Sequence, residues 1–228
     1  LLCFDSKGML LDFVSDVSCP WCAIGLHALE KALQNLAGEV SATLVFQPFE
    51  LNPGMLPEGQ DITEHLTQKY GTTPEQQAAA REAIRQRGAE VGFIFRQEGR
   101  TRIYHTFDAH RLLHWAGLPT TRPVGLQGAL KKRLLQAYFT DGEDPSSHEV
   151  LLRAVAEVGL DVEGARGILG DDAYAVEMRA QERYFTEAGI HSVPAVIIND
   201  RHLISGGQPV SVFEQALRQI AAGDGRTE

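Results

Sequence analysis

Hydrophobic and polar positions along the first part of the chain follow two different periods. Met9-Leu10-Leu11-Asp12-Phe13-Val14 is a short apolar run, interrupted by Asp12 and bounded by turn residues, which predicts a buried strand. Ala23 to Leu36 repeats at helical spacing, with Ile24, Leu29, Leu33 and Leu36 as the inward stripe, and Gly38 ends it. Val40 to Phe49 alternates and is rich in Val, Thr and Phe, which predicts a second strand. Strand, helix and strand in this length make a βαβ unit.

Asn52-Pro53-Gly54 and Leu56-Pro57-Glu58-Gly59 then break the pattern. From Ile62 to about Gly189 the signals are almost all helical. Helices are expected at Thr63–Tyr70, from Pro74 to Val91 with Thr73 as cap, at His105–Trp115, Gln127–Phe139, Ser147–Val158, Val162–Leu169 and Tyr174–Ala188. Gly92 to Tyr104 is irregular, with Phe93, Phe95 and Tyr104 as packing residues. Ser192-Val193-Pro194-Ala195-Val196-Ile197-Ile198 reads as a strand that opens on a proline. Asn199-Asp200 turns it back into Arg201–Ser205, an antiparallel hairpin. Gly206-Gly207 stops the hairpin, and Val210–Ala222 is a final helix with Val212, Phe213, Leu217 and Ile220 inward. The expected organisation is a core split into 9–57 and 190–228, with a helical insertion at 58–189. Residues 1–8 are set apart as a tag or loose tail.

Composition narrows the function classes. The net charge of −9 leaves no basic footprint for nucleic acid and no polybasic patch for a membrane surface. No apolar run approaches the length of a membrane span. No basic stretch precedes an apolar segment at the N-terminus, although a signal removed before Leu1 would leave no trace. Three cysteines, two of them in one motif, do not resemble a secreted disulfide framework, so the expected location is the cytoplasm.

Those two cysteines stand in Ser18-Cys19-Pro20-Trp21-Cys22, at the junction of the first strand and first helix. A Cys-x-x-Cys pair there is the sequence form of a redox centre. Residues three apart on a first helical turn share a face, so a disulfide between them forms and opens with little backbone movement. The helix N-terminus favours a thiolate at the outer position, which makes Cys19 the expected nucleophile. Cys22, one turn in, is shielded and resolves the mixed disulfide. Pro20 suits a helix start because the first turn needs no N–H from it. A structural zinc site takes four ligands, whereas only Cys3 and the nearby His27 could be added here, so no metal is expected. Asp12, in the strand behind the helix, is a candidate proton relay for Cys22 if burial raises its pKa; the alternative is a solvated strand-edge carboxylate. Asp16 and Ser18 are more simply caps, with Asp16 a weaker candidate for tuning Cys19. His110 and His114 are four apart on one helix, a spacing that without a further ligand reads as surface or packing.

The pieces together resemble the DsbA branch of the thioredoxin-fold oxidoreductases, and within it the FrnE-like group. They are Asp12-Phe13-Val14-Ser15-Asp16 leading into Cys19-Pro20-Trp21-Cys22, Thr106-Phe107-Asp108-Ala109-His110-Arg111-Leu112, Val193-Pro194-Ala195 and Ile204-Ser205-Gly206-Gly207-Gln208-Pro209. The resemblance implies an α/β thioredoxin fold with a large α-helical insertion that shapes a cleft, lined in part by the helix around His105 to His114. It also implies a redox-active disulfide at Cys19 and Cys22 with Cys19 exposed, and a cis Pro194 facing it. Val193 would then present its backbone to an extended peptide, and Trp21 and Pro194 would form an apolar lip. The motif departs from DsbA itself in carrying Pro-Trp between the cysteines rather than Pro-His. That implies a less oxidising centre, within the span of roughly −120 to −270 mV known for such proteins.

The expected function is a protein thiol–disulfide oxidoreductase or isomerase. Its partners would be protein or peptide thiols and disulfides, with glutathione as a co-substrate and no other cofactor. The alternative is a glutathione-dependent isomerase or transferase. The fold with this insertion also resembles the kappa-class transferases and the 2-hydroxychromene-2-carboxylate isomerases, which typically carry Ser at the position of Cys19. A third reading is a non-enzymatic redox sensor or chaperone-like binder.

Overall fold

The computed structural model describes residues 8–224. In chain order the elements are β1 (Met9–Ser15), α1 (Pro20–Asn35), β2 (Ala42–Pro48), β3 (Gln60–Asp61), α2 (Ile62–Tyr70), α3 (Pro74–Glu90), β4 (Arg102–Ile103), α4 (Phe107–Gly117) and α5 (Gln127–Gln136). A π-helical turn at Ala137–Asp141 closes α5. Then come α6 (His148–Glu157), α7 (Val162–Gly170), α8 (Ala175–Glu187), β5 (Ala195–Ile198), β6 (His202–Ser205) and α9 (Val210–Asp224). Residues 1–7 of the expected tail, Cys3 among them, lie outside the described residues.

The main sheet has the order β2-β1-β5-β6. β1 runs parallel to β2, with Phe13 opposite Phe46, and antiparallel to β5, with Val14 opposite Ala195. β1 is therefore central and paired on both sides, which is why Leu11, Phe13 and Val14 are all fully buried. Strand alternation divides its faces. Leu11 and Phe13 join one apolar cluster with Ala23, Leu26 and Leu29 of α1 and Phe213 and Leu217 of α9. Val14 joins Phe185, Ile190 and Ala195 on the other face. Asn199 and Asp200 take φ of 52° and 54° between β5 and β6, a left-handed backbone that these two residue types tolerate in tight turns.

The helices from α2 to α8 fall between β2 and β5 in sequence, and α4, α5 and α8 pack against β2. Their own core joins Leu112, Leu113, Leu130, Leu134, Leu151, Val155 and Ile168. Thr73 caps α3 as expected, in a capping box with Gln76. The chain is an α/β fold in which a four-stranded mixed sheet is interrupted in sequence by a helical insertion, the architecture expected of a thioredoxin fold.

Four local details differ from expectation. The third insertion helix starts at Phe107 rather than His105, with Thr106 at its cap position. Val212 is 40% exposed, because Phe213, Leu217 and Ile220 form the stripe and Val212 lies off it. β3 and β4 pair as a two-residue ribbon, too short for alternation to reveal. Gly59 sits beside it at φ 66°, where a Cβ would lie 2.3 Å from the Ile103 carbonyl oxygen. Finally, the fifth helix ends in the π turn, which buries Tyr138 and Phe139 together.

Candidate active site

Cys19 occupies the N-cap of α1 and Cys22 its third residue, with Pro20 opening the first turn. The Cys22 backbone N–H donates to the Cys19 carbonyl at 3.1 Å, so the motif is the first turn itself. No side chain caps the helix, which leaves its positive end to act on Cys19. Both residues are free thiols.

The two sulfurs differ sharply. A hydrogen bond from Cys22 holds the Cys19 thiol below its ordinary pKa despite burial, and the Arg100 charge adds to this while Asp16 opposes it. Burial pushes the Cys22 thiol well above the ordinary range, and its bond toward the Cys19 sulfur adds to the rise. The expectation of an exposed Cys19 needs correction: it is 4% exposed, since the sulfur sits under the loop that carries Pro194. Its Sγ donates to the Val193 carbonyl oxygen at 3.6 Å.

The Val193–Pro194 peptide is cis. Pro194 reaches the helix because Gly25 has no side chain: a Cβ there would lie 3.0 Å from Pro194 Cγ and 3.3 Å from Gly207 Cα. Gly207 is equally tight, with a Cβ position 2.9 Å from the Trp21 carbonyl oxygen and 3.4 Å from its indole ring. The Gly206 N–H donates to the Pro194 carbonyl at 2.7 Å and ties the two loops together. Cys19, Cys22, Trp21, Val193 and Pro194 thus converge, and Trp21 is 39% exposed at the rim.

Asp12 does not join them. It lies on the opposite face of β1 from Leu11 and Phe13, where its carboxylate accepts a 2.6 Å hydrogen bond from Gln47. Burial raises its pKa, Gln47 counters that, and Asp200 adds to the rise. The charges that reach the thiols are instead Asp16, Arg100 and Lys131.

Asp16 is not a helix cap. Its Oδ1 accepts from Ser18 N at 3.0 Å and its Oδ2 from Leu51 N at 2.7 Å. His110 Nε2 lies 3.5 Å from Oδ1, an electrostatic contact longer than a hydrogen bond. Burial alone would raise this carboxylate, yet His110 and the two backbone donors bring it down to about 2. His110 therefore braces the loop before the motif instead of facing solvent. Arg100 Nη1 donates to the Ser18 carbonyl at 2.6 Å. Its guanidinium stacks 5.7 Å and 5.6 Å from the rings of Tyr138 and Phe139, so the π turn serves as its platform. Beyond His110, Glu50 is buried between Arg179 and His105, and Arg179 also meets Glu182 at 2.8 Å.

Among the described residues, no group of three or more His, Cys, Asp or Glu side chains is arranged to hold a metal ion. No helix there is long and apolar enough to cross a membrane.

The chain is similar to a probable DsbA oxidoreductase, SCO1869, from Streptomyces coelicolor. The two are 36% identical, with a TM-score of 0.86 over 96% of this chain and 92% of that one. It is 27% identical over 204 residues to the uncharacterized protein YwbO of Bacillus subtilis (strain 168), covering 89% of this chain and 92% of the relative. Its fold also matches the cytosolic disulfide reductase DsbM from Pseudomonas aeruginosa, solved with GSH. There the identity is 17% and the TM-score 0.62, over 95% of this chain and 99% of that one. The DSBA-like thioredoxin domain model matches residues 10–218, and the chain belongs to that family.

Proposed function

We propose that this protein is a thiol–disulfide oxidoreductase acting on protein or peptide partners through Cys19 and Cys22. The Cys19 thiolate attacks a substrate disulfide, forms a mixed disulfide and expels the first substrate thiolate. Cys22 then attacks Cys19 Sγ, closing the intramolecular disulfide and expelling the second. Run backwards, the same steps oxidise a dithiol, so direction follows the partner pool. The observation that carries this reading is the asymmetry of two thiols on one helical turn beneath the Val193–Pro194 loop: the pKa of Cys19 is lowered by its hydrogen bond from Cys22, and that of Cys22 is pushed well up by burial.

Ionised Cys19 no longer donates to Val193, and the freed carbonyl can accept an N–H from an extended substrate, with Trp21 and Pro194 as apolar flanks. Glutathione fits as the small thiol that recycles the pair, a role supported by its presence with DsbM. A cytoplasmic setting, where disulfides are transient and catalytic, agrees with that role. Within the family, the FrnE-like group is the placement favoured by the Thr106–Leu112 and Ile204–Pro209 segments.

The test is reduction of insulin disulfides with a thiol donor, run beside a glutathione-conjugation assay. Wild type reduces insulin, Cys19→Ser does not, and Cys22→Ala accumulates a mixed disulfide. Conjugation that survives Cys22→Ala, without insulin reduction, would instead support the glutathione-dependent isomerase or transferase reading.

A further inference from the structure

Ser18, whose carbonyl is bonded to the Cys19 nitrogen, is gripped by a cation from the insertion: Arg100 Nη1 donates to the Ser18 carbonyl oxygen at 2.6 Å. Covalent geometry through Ser18 and Cys19 then keeps Nη1 within about 8 Å of Cys19 Sγ. The guanidinium is half-buried and seated on the rings of Tyr138 and Phe139, which fixes its plane. It carries five N–H donors, so the bond to Ser18 leaves a surplus. Arg96, four residues earlier, pairs with Glu98 at 3.5 Å, whereas among the described residues no carboxylate lies within ion-pair distance of Arg100. Lys69 is in the same condition. Its Nζ donates to the Leu51 carbonyl at 2.8 Å and to Asn52 Oδ1 at 2.7 Å, again with no carboxylate partner among the described residues. Both cations act on one neighbour, His65. Tyr70, 58% exposed, feels the charges of both Cys19 and Arg100, so the space they share opens to solvent. The other charges at the redox pair face inward. Lys131 is 1% exposed, and Asp16 is buried with its oxygens turned to Ser18 N and Leu51 N. In a chain of net charge −9, the open side of the nucleophile is therefore cationic.

We propose that Arg100 is a specificity-determining residue that binds a carboxylate beside the reacting disulfide, so that peptides with an acidic residue next to the cysteine are the preferred substrates. The inference rests on the exchange mechanism above and names its substrate class. Consecutive Cα atoms are about 3.8 Å apart, so an Asp or Glu adjacent to a substrate cysteine on Cys19 Sγ spans the distance to Arg100. The planar fork of the guanidinium suits a carboxylate, and its seat on two rings holds it ready with little ordering left to do. The aromatic platform also keeps water from one face, which strengthens the pairing over one between fully exposed side chains. Lys69 extends the attraction, while the acidic remainder of the surface gives such a peptide no competing place to bind.

The test uses three symmetric disulfides made from N-acetylated, C-amidated dipeptides: cysteine followed by glutamate, by glutamine or by lysine. Each is mixed with the reduced protein at pH 7, and loss of reduced protein is followed by mass after acid quench. Every rate is divided by that of the same disulfide with 2-mercaptoethanol, which removes differences in leaving-group reactivity. Wild type is expected to prefer the glutamate peptide over the glutamine one by about 3- to 10-fold, and to disfavour the lysine peptide. Salt at 0.5 M should shrink the preference. Arg100→Gln slows all three through the thiolate fraction, and brings the glutamate-to-glutamine ratio to within about 1.5-fold of one. Arg100→Lys, which keeps the charge without the fork, retains a preference of about twofold. A wild-type ratio of one or less overturns the proposal, whether or not any variant folds. So does an equal slowing of all three peptides in Arg100→Gln with the ratio intact, the mark of an anchor for Ser18 and nothing more. If wild type reacts with none of the peptides, the exchange mechanism itself fails, and this inference with it.

Discussion

Cys19 Sγ hydrogen-bonds to the carbonyl oxygen of Val193, a residue 174 positions away in the chain. The contact sets a choice for one oxygen. It can accept from the thiol, or, once the thiol has ionised, from an incoming backbone. Access to the nucleophile is thereby linked to its charge.

The lowered Cys19 pKa rests first on its hydrogen bond with Cys22 and in smaller part on Arg100. Alkylation of Cys19 followed against pH should have its midpoint below the roughly 8.5 of a free thiol. Cys22→Ala should raise that midpoint by about one unit. Arg100→Ala should raise it less, slowing alkylation at pH 7 by about two- to fivefold. A midpoint unmoved by Cys22→Ala would contradict the assignment of cause.

Asp16 titrates near 2 in the folded protein against about 3.9 unfolded, so its ionised form stabilises the fold. That contribution, about 2 kcal/mol, is present above pH 4 and fades as the pH falls toward 2. Urea unfolding of Asp16→Asn should show a pH 5 to pH 2 loss smaller than that of wild type by about this amount. Because the Asp16 charge opposes ionisation of Cys19, the same variant should alkylate faster at pH 6.

Asp12 has the opposite sign. Its folded pKa is raised, chiefly by burial, so it stabilises the fold relatively at low pH and costs stability as the pH rises through its titration. Asp12→Asn, which can keep a bond to Gln47, should unfold at higher urea than wild type at pH 7 and lose that advantage at pH 3. Resolution by Cys22 should stay within about twofold, since the carboxylate is on the far side of β1. A large fall in that rate would restore Asp12 as a relay.

Gly207→Ala places a methyl against the Trp21 backbone, where no flexible side-chain end can yield. A loss of about 1–3 kcal/mol is expected in urea unfolding. The attack by Cys19 on a peptide disulfide should slow as well, because the Pro194 loop must shift. Unchanged values for both would mean that the two loops are less tightly seated than the geometry indicates.

Much of this was legible in the residues. The order and kind of the long elements followed from period and punctuation, and Cys-Pro-Trp-Cys with Val193-Pro194 marked both halves of the site. What stayed hidden depends on tertiary placement. Lys131 reads as one of three consecutive basic residues on a solvated face, and only its i,i+4 relation to Leu135 hinted otherwise. Asp16 looked like a cap because it precedes a helix by four residues, a local signal that the Leu51 and His110 contacts override. The buried state of Cys19 depends on a loop from the far end of the chain. The π turn under Arg100 has no composition signature at all.

The sheet order has a consequence for synthesis. β1 acquires its β5 neighbour only after the whole insertion has left the ribosome. At ordinary translation rates the gap between Cys19 and Val193 corresponds to on the order of ten to thirty seconds. During that interval the nascent chain displays a cysteine pair with no roof over it, exposed to any passing oxidant.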